Sequence, residues 1–514
     1  MYVKGLRHVK WYLSLCLMAL MPFSLQAQSQ HFFHYNCLAP SEAEQTASPE
    51  GVFQAPRMPR HLPSVNTSWD ENRIYRQLVV LVSFSDRDFS MDNPQERYDS
   101  IFNSPGYNEG RGVGCVADYF RCQSGGLFNL QFDIYGPIKI ENQSKGSDYG
   151  AAGFRKALEQ LIDSLDIDMS VYDWNRNKVV NQVIFVYAGF GGNEDSDEAT
   201  GCIWPNTAKF SSLKVDSVRS VSNYSASAEL WVKGNLCGIG TICHEFSHSL
   251  GLPDIYPTSV SATEYSVVDE WDLMDGGNFT DSGWCPPNYS ALEKKLLGWL
   301  TPTVLDKPSS IDNLLAVSEG GEVYQVKYSE KEYYLLENRQ WSGWDAQLPG
   351  HGLLISHVDY DASSWSSNGV NNSPDHHRYD LKHADNLNYD GWKAIVGKKN
   401  PYTADGHNRI LSGSPYPYID EENEIENRRL TDDSEPAATI FNGEGLMSKP
   451  ITKITESEAG VISFDFMGGY LSTIEQSPLF DGLRSLSTDY DLQGRRYHGK
   501  GIRISQGKKY LKQQ

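Results

Sequence analysis

The pattern of apolar residues in the first half of the chain predicts two buried strands with a helix between them. Residues 76–84 and 179–188 form apolar runs rich in Val, which is typical of buried strands. Residues 151–165 carry apolar side chains at helical spacing, at Phe154, Leu158, Leu161, Ile162 and Leu165. This order of elements predicts an α/β (α+β) fold class.

The pattern changes after residue 300, where short apolar runs predict a β-rich region. These runs lie at residues 323–326, 333–336, 352–358 and 461–466. We therefore divide the main part of the chain into residues 73–300 and a β-rich lower lobe at residues 301–470. We expect the second part to complete the lower half of the same unit and to shape its binding pockets.

The two ends of the chain predict export. Residues 1–27 combine a positively charged start, an apolar stretch and a small-residue cleavage site, as a secretory signal peptide does. That stretch is short for a membrane span and no other segment could form one, so we expect a secreted, extracellular or cell-surface protein without a transmembrane segment after processing. Residues 28–72 are rich in proline and predict a leader or propeptide. Residues 471–514 predict a short C-terminal tail, either a sorting element or a terminal hairpin.

Composition and charge limit the possible partners. The chain has 514 residues, 39% of them hydrophobic, and a formal net charge of -21 at pH 7. It is long enough for a sizeable core and too long for one typical domain. An acidic chain lacks the clustered Lys and Arg that a phosphate backbone requires, which argues against nucleic acid as a partner. Nothing in the sequence indicates an oligomeric state.

The cysteines do not predict a disulfide framework. The sequence has eight, and removal of the predicted signal, which contains Cys16, leaves an odd number, so we assign no disulfides. Cys37 lies in the predicted leader, where its thiolate either caps a metal ion and keeps the protein latent or has no special role. No switch motif surrounds Cys37, which favours the second interpretation.

The strongest candidate for chemistry lies at residues 244–254. His244 and His248 are four residues apart, so on a helix both imidazoles lie on one face and can reach one ion. Glu245 follows the first ligand and can accept a proton from water beside that ion. Gly251 ends the helix, and Asp254 supplies an oxygen as the third ligand. Three protein ligands and one open position are typical of a catalytic zinc ion.

A second motif follows, and the two together resemble a known family. Residues 271–277 form a tight turn around Met274, like the Met-turn beneath the zinc site of metzincin peptidases. The chain resembles the immune inhibitor A-like family of secreted bacterial zinc metallopeptidases, within the metzincin clan. The resemblance covers roughly residues 75–467 and includes segments at 78–86, 116–120, 124–127, 251–256, 286–287, 297–300, 334–340 and 352–359.

The resemblance implies a fold and an activity. A twisted mixed sheet should lie over a zinc-bearing helix, with residues 189–193 bordering the cleft. The expected activity is a zinc endopeptidase acting on protein or peptide substrates, with Glu245 as the catalytic base. Two alternatives stay open: a zinc hydrolase of non-peptide amides, and an inactive metallopeptidase-like surface adhesin. An intact Glu245 argues against the adhesin, because a degenerate site usually loses its base first.

The resemblance also implies the ligand set His244, His248 and Asp254 for one zinc ion. Most metzincins have a third histidine where this chain has Asp254, but the family it resembles carries an aspartate there. A carboxylate oxygen is a normal zinc ligand. Three other carboxylates nearby compete for the third position: Glu264, Asp269 and Asp272.

Two weaker patterns suggest further metal sites. Residues 173–177 space oxygen side chains as calcium loops do, although a turn explains the pattern as well because the central glycine and closing glutamate are absent. A second group of histidines and aspartates occurs at Asp375, His376, His377, His383 and Asp385. These histidines lack helical ligand spacing, which favours ordinary surface charge over a second metal site.

Overall fold

The structure is a computed structural model. It describes residues 62, 68–146, 150–194, 196–259, 267–373, 375–387 and 411–469, and the backbone of two strands near the C-terminus. The predicted signal peptide, Cys37, Glu264 and most of the predicted leader and tail lie outside the described residues. The two C-terminal strands, Gly501–Ser505 and Lys508–Lys512, pair with each other in antiparallel orientation.

A mixed sheet forms the centre of the first region. Its strand order is β2-β1-β3-β5-β4, and a short strand β6 pairs with β5. Strands β1, β2, β3 and β5 run parallel to one another, whereas β4 and β6 run antiparallel to β5. The strands span Ile74–Ser83 (β1), Asn129–Lys139 (β2), Val183–Phe190 (β3), Asn206–Lys214 (β4), Ser220–Trp231 (β5) and Asn235–Leu236 (β6). The predicted α/β class with a mixed sheet is confirmed.

Helices cover both faces of this sheet. Successive side chains of a strand point to opposite faces, so one strand can contribute to two cores. On one face, Val183 and Phe185 of β3 share an apolar core with Phe154 of the helix that the sequence predicted. On the other face, Ile184 shares a second core with Phe246. The α-helices of the described chain are Pro94–Asn103 (α1), Val116–Gln123 (α2), Ala151–Ser164 (α3), Gly240–Ser249 (α4), Ala291–Leu296 (α5) and Ala362–Ser366 (α6). Helix α4, which carries the two histidines, therefore packs under the sheet.

The region after residue 300 is β-rich, as predicted. A five-stranded sheet has the order β12-β11-β10-β9-β7, and a three-stranded sheet has the order β15-β16-β8. The strands are Thr303–Val304 (β7), Ser309–Leu314 (β8), Tyr324–Lys327 (β9), Glu332–Arg339 (β10), Gly352–Asp359 (β11), Tyr379–Leu381 (β12), Tyr418–Asp420 (β13), Ile425–Asn427 (β14), Ile451–Glu456 (β15) and Ile462–Phe466 (β16). The core beneath α4 continues into this region through Leu335, Leu354 and Val358, so the two regions share one apolar interior.

The end of the predicted leader also packs against this interior. The Trp69 ring lies 4.6 Å from the ring of Phe128 and 5.6 Å from that of Trp299, measured between centroids. Its indole N–H donates a hydrogen bond to the carbonyl oxygen of Leu297. Within the part of the chain that the structure describes, none of the helices is both long and apolar enough to cross a membrane.

Candidate metal centre

Helix α4 presents His244 and His248 on the same face, as their spacing predicted. Their ring centroids are 4.9 Å apart. The helix ends at Ser249, and Gly251 follows with φ +101°, a left-handed conformation that glycine adopts at little cost. The Gly251 N–H bonds to the carbonyl of His248, which closes the helix end. The chain then turns back and brings Asp254 to the two histidines.

The three predicted ligands converge on one point. Asp254 Oδ1 lies 3.2 Å from His244 Nε2 and 3.3 Å from His248 Nε2. Two ligands bound about 2.0–2.1 Å from a tetrahedral zinc ion would be about 3.3 Å apart. Among the described residues, these three form the one group of His, Cys, Asp or Glu side chains close enough to share a metal ion.

The imidazoles are oriented for coordination through Nε2. His244 Nδ1 donates to the carbonyl of Leu273 at 2.8 Å, and His248 Nδ1 donates to that of Leu252 at 2.8 Å. With Nδ1 protonated, each neutral ring has its lone pair on Nε2. Both Nε2 atoms and Asp254 Oδ1 are buried and make no hydrogen bond within the described chain. Buried acceptors are nearly always partnered, so three that converge without a shared donor fit a bound cation.

The electrostatics of these side chains favour positive charge between them. Burial alone would lower the pKa of His244, but its contact with Asp254 and the charge of Glu245 raise it to about 9. Burial alone would raise the pKa of Asp254, but the two imidazoles outweigh burial and hold that pKa far below its ordinary value. A cation at this position would be attracted by the same carboxylates.

Glu245 is held by the edge strand of the sheet. The hydroxyl of Thr207, on β4, lies 2.9 Å from Glu245 Oε2 and 2.6 Å from the Glu245 carbonyl oxygen, so it shares its proton between them. Glu245 Oε1 makes no hydrogen bond in the described residues. Burial raises the pKa of Glu245, although both imidazoles and Thr207 oppose this shift. A carboxylate with one uncommitted oxygen and a raised pKa takes up a proton more readily than an ordinary exposed glutamate.

The turn around Met274 supports both His244 and the loop that carries Asp254. Met274 is fully buried, and its carbonyl oxygen accepts the N–H of Ile255, next to Asp254. The preceding carbonyl, of Leu273, is the one that orients His244. This short segment therefore positions two of the candidate ligands, His244 and Asp254.

The competing carboxylates do not join the ligand group. Asp272 Oδ1 accepts the N–H of Met274 at 2.8 Å, so Asp272 stabilises its own turn. Asp269 lies outside the group of three as well, and Glu264 is among the residues that the structure does not describe. Cys243, beside His244, is a buried free thiol and is not part of the group. The six cysteines that the structure describes are all free, in line with the absence of assigned disulfides.

Sequence reasoning missed two residues that position this site. The Asp254 N–H donates to Asn368 Oδ1 at 2.7 Å, and Asn368 Nδ2 donates to Asp254 Oδ2 at 2.6 Å. Thr207, described above, supports Glu245 from a strand that the sequence did not predict. Both contacts join segments far apart in the chain, and no local pattern of residues marks either one.

The segment considered for calcium forms a turn. The Asp173 carboxylate accepts the N–H groups of Asn177 and Lys178 at 3.0 and 2.9 Å, and Arg219 Nε lies 3.4 Å from it. Its oxygens are therefore occupied by donors of the protein. This geometry favours the turn, the alternative interpretation of residues 173–177.

The histidines considered as a second metal site have separate partners. His376 Nε2 lies 2.8 Å from Asp359 Oδ2, His377 Nδ1 lies 3.3 Å from Asp380 Oδ2, and His383 Nδ1 lies 3.0 Å from Ser414 Oγ. They do not converge, and no shared metal position exists among the described members of this group. The interpretation as ordinary polar residues is favoured.

Comparison with known proteins agrees with the resemblance. Residues 177–299 match the family model of the immune inhibitor A peptidase M6 catalytic domain. The chain is 22% identical over 268 residues to the pre-pro-metalloprotease PrtV of Vibrio cholerae serotype O1, which covers 45% of this chain and 28% of that protein. It is 23% identical over 274 residues to immune inhibitor A of Bacillus thuringiensis subsp. alesti, which covers 42% of this chain and 39% of that protein. The chain thus spans less than half the length of either relative. The resemblance predicted from the sequence is therefore confirmed: the segment with the three candidate ligands resembles the catalytic domain of the immune inhibitor A peptidases.

Proposed function

We propose that this protein is a zinc endopeptidase that hydrolyses peptide bonds with Glu245 as its general base. The convergence of two Nε2 atoms and one carboxylate oxygen, none of them hydrogen-bonded within the described chain, carries this proposal. The match of the same segment to a peptidase catalytic domain supports it. The metzincin type of fold, zinc as the metal and the roles of the individual residues are all part of the proposal.

The proposal gives each residue a task. His244, His248 and Asp254 would hold the zinc ion, which when bound supplies Lewis-acid chemistry that acidifies water and polarises a carbonyl group. Glu245 takes a proton from the attacking water and later delivers it to the nitrogen of the leaving amine. Thr207 keeps one oxygen of Glu245 occupied, so that the other is free for the proton.

The position of Thr207 also suggests how a peptide is bound. Strand β4 lies at the edge of the sheet, and its outer side is not paired with another described strand. An extended peptide can add to such an edge through main-chain hydrogen bonds. Because Thr207 of this strand contacts Glu245, a peptide along β4 would pass close to the proposed base.

The four proposed site residues are closed off from solvent. His244, Glu245, His248 and Asp254 are each at most 1% exposed. We infer that a segment covering them moves before a substrate carbonyl can reach them. We therefore propose that the protein becomes active after maturation. The composition of residues 1–72 supports the further proposal that it is made with a signal peptide and a leader and is exported.

The test is hydrolysis of casein or gelatin by the full-length chain and by material matured from it. We expect the matured material to cut protein, a chelator to abolish cutting, and added zinc to restore it. N-terminal profiling of the resulting peptides gives the cleavage preference. Hydrolysis of small amides without cleavage of protein would instead support the non-peptide hydrolase, and absence of both activities in zinc-loaded, matured protein would support the adhesin.

A further inference from the structure

We propose that Asn368 is a positioning residue for metal binding, which holds Asp254 in the orientation that a zinc ion requires. Asn368 lies in the β-rich region, just after helix α6, and outside the segment that matches the peptidase catalytic domain. The inference rests on the proposed function, because it assigns a task to a residue that supports one of the proposed ligands.

Asn368 contacts Asp254 with both ends of its amide. Asn368 Oδ1 accepts the Asp254 N–H at 2.7 Å, and Asn368 Nδ2 donates to Asp254 Oδ2 at 2.6 Å. Asn368 is 2% exposed and Asp254 is fully buried, so water does not compete for these bonds. Since the amide occupies Oδ2, the other oxygen, Oδ1, is the one directed at His244 and His248. The contact therefore selects which carboxylate oxygen is offered to the metal ion.

Two neighbouring asparagines hold the rest of the ligand loop. Asn371 Nδ2 donates to the carbonyl of Ile255 at 2.9 Å. Asn372 Oδ1 accepts the N–H groups of Thr258 and Ser259 at 2.7 and 3.0 Å. Residues 254–259 form no helix or strand, so their backbone groups need partners from elsewhere in the chain. Residues 368–372 supply several of them, and Asn368 is the member of this set that reaches a proposed ligand.

The backbone at Asn368 explains why an asparagine suits this position. Its φ is +58°, in the left-handed region that most side chains avoid and that glycine and asparagine adopt most readily. Asparagine therefore combines an accessible backbone conformation with an amide that can donate and accept at once. Glycine keeps the conformation and removes the amide, which makes Asn368→Gly the cleanest substitution.

The expected effect is on metal affinity. A carboxylate without its supporting hydrogen bond must be ordered when the ion binds, and loss of such a partner typically lowers metal affinity about 10- to 100-fold. A residue with only a structural task would lower stability and leave the affinity of the folded protein unchanged. Zinc affinity thus separates the two possibilities.

A matched control is available in the same β-rich region. Asn427 is 9% exposed, and its Nδ2 donates to the carbonyls of Ala384 and Glu435 at 2.7 and 3.0 Å. Neither of these bonds involves residues 254–259. Asn427→Ala should lower the melting temperature without changing zinc affinity.

The experiment measures the zinc dissociation constant of the full chain by competition with a chromophoric chelator, together with thermal unfolding. We expect Asn368→Gly to weaken zinc binding about 10- to 100-fold relative to wild type and to Asn427→Ala. If Asn368→Gly does not fold, Asn368→Ser replaces it, because a serine hydroxyl is too short to make both contacts. Wild-type affinity in the folded Asn368 variant would overturn the inference and leave the proposed function intact. A wild-type protein that binds no zinc would overturn the proposed function and this inference with it.

Discussion

Two clusters of histidine and carboxylate in this protein have similar composition and opposite organisation. In the candidate metal centre, His244 and His248 both direct Nε2 at one oxygen of Asp254. In the β-rich region, His357 Nε2 lies 3.0 Å from Glu332 Oε1, and His376 Nε2 lies 2.8 Å from Asp359 Oδ2, so each imidazole has its own carboxylate. Convergence on one point, and not the residue types themselves, distinguishes a metal site from ordinary polar packing.

Two of the buried glutamates, Glu332 and Glu245, show the same contrast. Glu332 accepts hydrogen bonds from His357, from the N–H of Phe441 and from Asn442, and these outweigh burial and lower its pKa to about 2. Glu245 has the Thr207 hydroxyl on one oxygen and no hydrogen bond to the other within the described chain, and burial raises its pKa. Glu332 is therefore a satisfied structural ion, whereas Glu245 retains capacity for a proton.

The largest expected difference between the clusters is in metal content. His248→Ala removes one of three converging ligands, so we expect the purified protein to lose its zinc. His376→Ala removes a histidine of the other cluster and should leave zinc content unchanged. Elemental analysis after dialysis measures both. Zinc retained by His248→Ala, or lost from His376→Ala, would place the ion elsewhere.

The next effect concerns the two glutamates. Glu245→Gln should keep zinc and lower the turnover of a peptide substrate by about 10²- to 10⁴-fold, because an amide cannot accept the proton. Glu332→Gln is the control and should keep normal turnover at temperatures at which it is folded. Steady-state kinetics on a fluorogenic peptide compares them. Near-normal turnover by Glu245→Gln would exclude Glu245 as the base.

A smaller effect is expected for the hydroxyl that supports Glu245. The hydrogen bond from Thr207 lowers the pKa of Glu245, so Thr207→Val should raise that pKa. A general base acts when deprotonated, and the acidic limb of the kcat/KM profile should therefore move to higher pH, with the loss of kcat/KM growing as the pH falls. Zinc affinity should not change.

The control for this variant is Thr431→Val. Thr431 is a buried threonine of the β-rich region, and its hydroxyl donates to Asp433 Oδ1 at 2.5 Å. The substitution Thr431→Val removes the same kind of bond, far from Glu245 in the chain. A pH profile that is the same for Thr207→Val and wild type would show that Thr207 does not tune the base.

The sequence predicted the parts of this site that depend on local spacing. His244, Glu245, His248 and Asp254 lie within a single helix and the turn after it, where positions on a regular helix determine which side chains meet. Strands β1 and β3 and helix α3 were predicted because their apolar residues are dense or periodic. The second strand begins at Val183 instead of residue 179, since Asn181 is bonded back to the preceding turn: its N–H donates to the carbonyl of Tyr172 and its Oδ1 accepts the N–H of Trp174.

Local spacing and apolar content could not predict strands β4 and β5 or the roles of Thr207 and Asn368. Strand β5 is largely buried, yet its sequence, SVSNYSASAELW, is rich in serine, so its burial comes from a central place in the sheet and not from its apolar content. Strand β4 carries an edge strand's mixture of polar and apolar residues. Thr207 and Asn368 act through tertiary contacts over long sequence separations. Neither spacing nor composition encodes such contacts, whereas the fold brings them together.

The smallest expected effect is on stability. It tests whether the ionised and fully hydrogen-bonded carboxylate of Glu332 stabilises the fold. Glu332→Gln replaces a buried carboxylate by an amide with a weaker acceptor, and loss of hydrogen bonds to a charged group costs about 1.5–3 kcal/mol. The folded pKa of Glu332 is lowered to about 2 from an ordinary value of 4.5, so its ionisation stabilises the fold above pH 4.5 and this contribution is lost as pH falls toward 2. Denaturant unfolding should therefore show a gap between wild type and variant that is full at pH 7 and smaller at pH 3. Glu330→Gln, at a side chain that is 85% exposed, should change stability by less than about 0.5 kcal/mol at either pH. A gap of equal size at both pH values would mean that Glu332 contributes through packing and not through its charge.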